Sequence, residues 1–166
     1  MLLAIDTNPL IDWALGDEDV IDCFDLIKRR ISSASICVPP TVLIELAHFA
    51  KTNAKGLGKS ALKALELIRD EQPFLKPINL IPVGHGIVEI NGQKIRASKL
   101  IPVEEIHDSF ILAEACLLNC EILISTDSHL TGMDHDDFCK VAKGFDGSSP
   151  IIRSPKQLVA QFGLRR

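Results

Sequence analysis

The sequence predicts an α/β fold, a three-layer α/β/α sandwich around a central, mainly parallel sheet, and three observations carry that prediction. Short apolar runs at Met1 to Ile5 and Ile122 to Ile124 are too uniformly hydrophobic for half-solvated strands, and read as strands buried on both faces. Between such runs lie segments with apolar residues every three or four positions, and strands alternating with helices build a parallel sheet covered on both sides. The 166 residues, 46% hydrophobic and 24% charged, suit one soluble domain spanning 1–166.

The elements follow in order. The first strand ends at Asp6, and Asn8 followed by Pro9 predicts a helix start, with Asn as cap and Pro at the first helical position, running to Leu15 and stopping at Gly16. A second helix is expected from about Glu18 to Arg30, since Val20, Ile21, Phe24, Ile27 and Ile31 recur at helical spacing. Ser35 to Val38 reads as a strand, and Pro39-Pro40-Thr41 opens a third helix through Ala50. Ala54 to Gly58 breaks the pattern, and a fourth helix from about Lys59 to Arg69 completes a helical hairpin.

Pro73, Pro77 and Pro82 mark extended chain or loop. Gly86 to Ile90 and Gln93 to Arg96 flank Asn91-Gly92, the pattern of a tight two-residue turn, so an inserted β-hairpin is expected here. A helix from about Val103 to Leu118, a strand ending before Asp127, a polar loop, a strand near Ile151-Ile152 and a helix from Pro155 to Phe162 finish the chain.

Composition excludes several classes. No apolar stretch approaches the roughly 20 residues that span a bilayer, and Met1 leads into a strand instead of a basic leader, so no membrane association and a cytoplasmic location are expected. Cys23, Cys37, Cys116, Cys120 and Cys139 are odd in number and sit in apolar segments, as small core residues do. Cys116 and Cys120 lack a second Cys/His pair at zinc-finger spacing.

Function is carried by carboxylates. Asp6 and Asp127 each follow a buried strand, and open parallel sheets bind ligands beyond the carboxyl ends of their strands. Glu45 lies in Val42 to Ala50, a helix apolar almost all round, where it either needs a partner or belongs to a narrow solvated stripe with Thr41, His48 and Thr52. Asp108 has Ile111, Leu112 and Ala115 three, four and seven residues on, which puts it on the buried face of its helix. Complementing the helix dipole with Glu104 and Glu105 explains an acid in that turn but not its face. Carboxylates gathered in a partly dehydrated cleft repel one another, and either take up protons or recruit a cation. Oxygen-only ligands suit Mg²⁺ or Mn²⁺, which lower the pKa of bound water and stabilise charge on a phosphoryl group.

With these residues in view, the chain resembles the PIN-domain ribonucleases, and by size the VapC-like toxins of toxin-antitoxin pairs. The resemblance lies in Ile5-Asp6-Thr7-Asn8, Ile44-Glu45-Leu46, His107-Asp108-Ser109-Phe110-Ile111-Leu112-Ala113 and Ser125-Thr126-Asp127, and extends to Ile151-Ile152-Arg153-Ser154-Pro155. Each motif is short; their order and spacing carry the likeness. It implies that Asp6, Glu45, Asp108 and Asp127 are both catalytic and metal-binding, holding one or two Mg²⁺ or Mn²⁺ ions that direct water onto RNA phosphodiesters. Thr7 or Asn8 then matches the small polar residue that supports the cluster, with Ser125 beside the fourth acid. An antitoxin partner and a homodimer are implied by the toxin subgroup alone. Many members carry another acid two residues after the fourth, where this chain has His129; Asp134, Asp136 and Asp137 follow in a polar loop and are candidates to replace it or plain solvated acids.

A net charge of −4 is not that of a general nucleic-acid binder. Lys51, Lys55, Lys59 and Lys63 form a locally basic run near the expected cleft mouth, and are candidate RNA contacts or a solvated face. Two rival functions remain: a PIN-like module that binds RNA or protein without turnover, and a phosphatase with Asp6 as covalent nucleophile. The latter needs a second Asp two residues on, where Asn8 stands.

Overall fold

The computed structural model describes residues 1–31 and 35–163. Five parallel strands, β1 (Leu2–Ile5), β2 (Ser35–Val38), β3 (Leu75–Pro77), β4 (Ile122–Ile124) and β5 (Ile151–Arg153), form a sheet in the order β3-β2-β1-β4-β5, flanked by helices. From β1 the chain steps outward through β2 to β3, then returns to the other side of β1 for β4 and β5. The strand order therefore reverses at β1/β4, which opens a crevice beyond their carboxyl ends. Register fixes what lines it: Ile5 pairs with Ile124, and the Asp6 N–H donates to the Ile124 carbonyl at 2.9 Å. The sheet centre is fully apolar, with Leu3, Ala4, Ile5, Ile36, Val38, Leu123 and Ile124 almost wholly buried.

Helix α1 (Thr7–Leu15) starts two residues earlier than the Asn8-Pro9 pair suggested, because Asp6, not Asn8, is its cap. Gly16, at φ 89°, ends it in the left-handed conformation that glycine adopts without strain. Helix α2 (Glu18–Arg30) is capped by Asp17 and buries Val20, Cys23, Phe24 and Ile27. Helices α3 (Pro40–Thr52) and α4 (Gly58–Asp70) form the expected helical hairpin, joined through a 3₁₀ turn at Ala54–Gly56. Pro77 sits on edge strand β3, where a missing N–H breaks no ladder.

The expected β-hairpin at 86–96 does not form; those residues belong to helix α5 (Pro82–Ala97). Its buried residues Gly84, Val88, Asn91, Gly92 and Ile95 follow a 3.6-residue period, and neither Asn91 nor Gly92 has the positive φ that a tight hairpin turn requires. Gly92 serves a different end. A Cβ there would lie 2.6 Å from Phe110 Cδ1, so the bare backbone lets α5 press against α6 (Ile106–Leu117).

The polar stretch after β4 also holds structure: α7 (Ser128–Thr131) and α8 (His135–Ala142), capped by Asp127 and Asp134. The last helix, α9 (Pro155–Gly163), packs on α2. All five cysteines are free thiols, and burial pushes those of Cys23 and Cys116 up to about 12, which leaves them inert. Among the described residues, no helix is long and apolar enough to cross a membrane.

Candidate functional site

Asp6 is where the crevice begins. Leaving β1, it is 3% exposed, and its Oδ1 accepts the Thr7 N–H at 2.6 Å while its Oδ2 accepts the Ser125 hydroxyl at 2.7 Å. Burial is the largest influence on its carboxyl and raises it to about 6; those two hydrogen bonds pull downward, and the charges of Glu45 and Asp127 push up again.

Ser125 joins two of the acids. Its hydroxyl donates to Asp6 and accepts the Asp127 N–H at 3.0 Å, which ties the ends of β1 and β4 together beneath the crevice. Asp127 is half-buried and caps α7, its Oδ1 accepting from His129 N at 2.6 Å and Leu130 N at 3.4 Å.

Glu45, in the second turn of α3, is held from both directions. The Thr7 hydroxyl donates to its Oε2, and His107 Nδ1 lies 2.7 Å from its Oε1. The carboxylate is therefore anchored, not part of a freely solvated stripe. Thr7 is the small polar residue that reaches it; Asn8 is exposed on the first turn of α1. Asp108 in the first turn of α6 is half-buried and pushed up to about 7, first by burial and then by the charges of Asp6, Asp127, Glu105 and Glu45. The acids of four separate segments thus stand close enough for Asp108 to feel all the others.

Sequence reasoning missed two members of this neighbourhood. His107, which precedes Asp108 in its motif, holds Glu45. Glu114 is 1% exposed in the middle of α6 and accepts the Thr41 hydroxyl at 2.8 Å and the Thr41 N–H at 3.2 Å. Burial raises its carboxyl to about 7 against the pull of those bonds. Its signal was available: Phe110 and Ile111 lie four and three residues before it, and Leu117 and Leu118 three and four after, the same pattern that singled out Asp108. Pro39 and Pro40 offer no N–H at the start of α3, so Thr41 supplies the first donor of that helix end.

The loop acids after His129 do not join the cluster. Asp134 accepts from Asp137 N at 2.9 Å as the cap of α8, and Asp137 pairs with Lys140 at 2.6 Å. A cleft of about 660 Å³ runs outward from Glu45 and Asp108 between α3 and the start of α6, and of the four candidate lysines only Lys55 lines it. Lys51, Lys59 and Lys63 are exposed elsewhere on the helical hairpin.

Among the described residues, no three His, Cys, Asp or Glu side chains stand close enough to cage an ion by themselves. The donor set nonetheless fits a hydrated cation. Mg²⁺ keeps several waters and takes one or two carboxylates plus substrate phosphate; all four acids here are oxygen ligands, and Asp6 and Asp108 are raised first by burial and then by neighbouring charge.

Two comparisons bear on the fold and the family of this chain. Over 93% of its length the chain resembles 98% of a chain in the crystal structure of VapBC2 from Rickettsia felis bound to a DNA fragment from their promoter, with a TM-score of 0.59 at 16% identity. That likeness is one of fold. No curated protein matches the sequence. Residues 3–136, which hold Asp6, Glu45, Asp108 and Asp127, match the PIN domain, and the chain belongs to the PIN-domain family.

Proposed function

We propose that this chain is a metal-dependent endoribonuclease, acting through 1–166 as one domain, and the toxin of a toxin-antitoxin pair in the cytoplasm. The observation that carries the reading is the mutual charge of Asp6, Asp108 and Asp127 with Glu45 at the β1/β4 crevice, where Asp6 and Asp108 are raised to about 6 and about 7. PIN and VapC proteins are typically nucleases, which gives that cluster its chemistry. A divalent ion, Mg²⁺ or Mn²⁺, would be held by Asp6, Glu45, Asp108 and Asp127, and when bound supplies a more acidic water and compensation for phosphoryl charge.

The chain's own groups then position and orient. Ser125 and the Thr7 N–H hold Asp6, Thr7 and His107 fix Glu45, and Asp108, raised by partial burial and by the neighbouring carboxylates, gains from a bound cation's charge. No side-chain nucleophile is needed, because water serves.

The test is calorimetric titration with Mn²⁺ alongside cleavage of single-stranded RNA. Asp6→Asn and Asp108→Asn should each abolish cleavage and weaken Mn²⁺ binding while the circular dichroism spectrum is kept; full activity in both would defeat the proposal. His129 in place of an acid favours one metal over two, so a stoichiometry of one ion per chain is expected. A wild-type chain that binds no Mn²⁺ would support the silent RNA- or protein-binding module instead.

The fold likeness to VapBC2 supports an antitoxin partner. Val83 and Ile90 of α5, Ile81 at its N-cap and Val103 are 55–72% exposed apolar side chains. We assign that surface to a homodimer, to be checked by sedimentation equilibrium.

A further inference from the structure

The cleft leading away from the acids has a layout of its own. Along one face of α3, Glu45 is followed by His48 and Phe49, and Phe49 lies about 6 Å further along the helix axis. The two rings stand 6.1 Å apart, tilted by 59°, and Lys55 Nζ lies 5.9 Å from the centre of the Phe49 ring. Acid, ring and cation therefore follow one another in a line. The opposite wall carries Glu104 and Glu105, which repel anions and leave the Lys55 side as the path open to a phosphate.

We propose that this cleft is a nucleobase subsite: an unpaired base next to the cleaved phosphodiester lies against His48 and Phe49, and the adjoining phosphate meets Lys55. The inference rests on the ribonuclease reading and names the form of RNA it takes. Ring faces accept any base but only an unstacked one, so the substrate is a single strand or loop. With a net charge of −4 and a single lysine in the cleft, stacking supplies most of the affinity. A volume of about 660 Å³ accommodates a nucleotide-sized group.

The test is fluorescence anisotropy of a short labelled uridine oligomer, the same oligomer paired to its complement, and an abasic ribose-phosphate oligomer of equal length. The single strand should bind at least about ten-fold tighter than either of the others. Phe49→Leu, which keeps apolar packing but removes the ring, and His48→Ala on the exposed side should each weaken binding about ten-fold, and Phe49→Leu should narrow the gap between uridine and abasic strands. Lys55→Ala should reduce the salt slope of log K by about 0.7, the value for one phosphate on a single strand.

Equal binding of duplex and single strand, or wild-type binding by both ring variants, would overturn the subsite and assign the rings to a protein partner. Failures are separable. RNA cut normally by both ring variants removes the subsite and leaves the nuclease, whereas base-dependent binding without Mn²⁺-driven cleavage keeps the subsite and removes the nuclease.

Discussion

Replacing Asp108 by Asn should stabilise the metal-free protein. In the folded chain the Asp108 carboxyl is raised from 3.8 to about 7, chiefly by burial. A native state that holds its proton more tightly than the unfolded chain loses stability as pH rises between those two values, and the loss is complete above the upper one. Taken at face value the shift corresponds to about 4 kcal/mol at pH 8, and screening at a cleft open to solvent reduces this to about 2 kcal/mol. Asn keeps the size and removes the ionisation.

In a chain of this length about 2 kcal/mol corresponds to roughly 4–8 °C in Tm. The assay is thermal and urea unfolding of both proteins in EDTA at pH 8 and at about pH 4, below which the unfolded carboxyl is itself protonated. The gain should be present at pH 8 and nearly absent at pH 4. Mn²⁺ should then reverse the ranking, since an ion at 100 times its Kd adds about 2.7 kcal/mol to a chain that binds it. The reasoning fails if Asp108→Asn is no more stable than wild type at pH 8 without metal, or if it gains as much at pH 4.

Two further outcomes follow from the same accounting. Glu114→Ala leaves the buried Thr41 N–H and hydroxyl without their acceptor and should cost about 1–3 kcal/mol at pH 5; the cost should shrink at pH 8, because the wild-type Glu114, raised from 4.5 to about 7, has by then lost stability of its own. Urea melts at both pH values read this, and a larger cost at pH 8 would contradict it. Gly86 is exposed in α5 with open space where a Cβ would stand, so Gly86→Ala should stabilise by about 0.8 kcal/mol as an interior helical position; no gain in a chemical melt would argue against a helix there.

Most of the fold was legible because burial leaves a period. The strands at 2–5 and 122–124 announce themselves as unbroken apolar runs, and α2 by its three-to-four spacing. The region at 86–96 misled because a local turn signal competed with a tertiary one. Asn91-Gly92 favours a hairpin only if nothing else claims the glycine, and here Phe110 claims it by packing where a side chain would go. That contact lies 18 residues away in sequence, 110 minus 92, and no local window contains it. α7 and α8 escaped for a different reason: α7 has only 4 residues, and the 8 of α8 bury just Phe138 and Ala142, so each is too short for its spacing to stand out beside its Asp cap.

The candidate acids were individually weak signals, and the sheet explains why they belong together. Asp6 and Asp127 meet because β1 and β4 are neighbours in register, with Ser125 bonded to both. Glu45 and Asp108 reach the same place on helices, and each position is set from elsewhere, Glu45 by Thr7 and His107, α6 against α3 by the Glu114–Thr41 contact. Each of these supporting bonds joins residues at least 38 apart, or, for Ser125 and Asp127, spans the turn out of β4. Apart from that turn, the supports depend on the finished topology and leave no local pattern in the sequence. A cluster in which burial, and then neighbouring charge, raise Asp6 and Asp108 is a fold-level cost that well-packed hydrophobic residues would avoid. Its retention at the one crevice where the strand order reverses is therefore an argument for a bound cation, and the opposite responses of Asp108→Asn with and without Mn²⁺ separate that argument from a merely structural role for the acid.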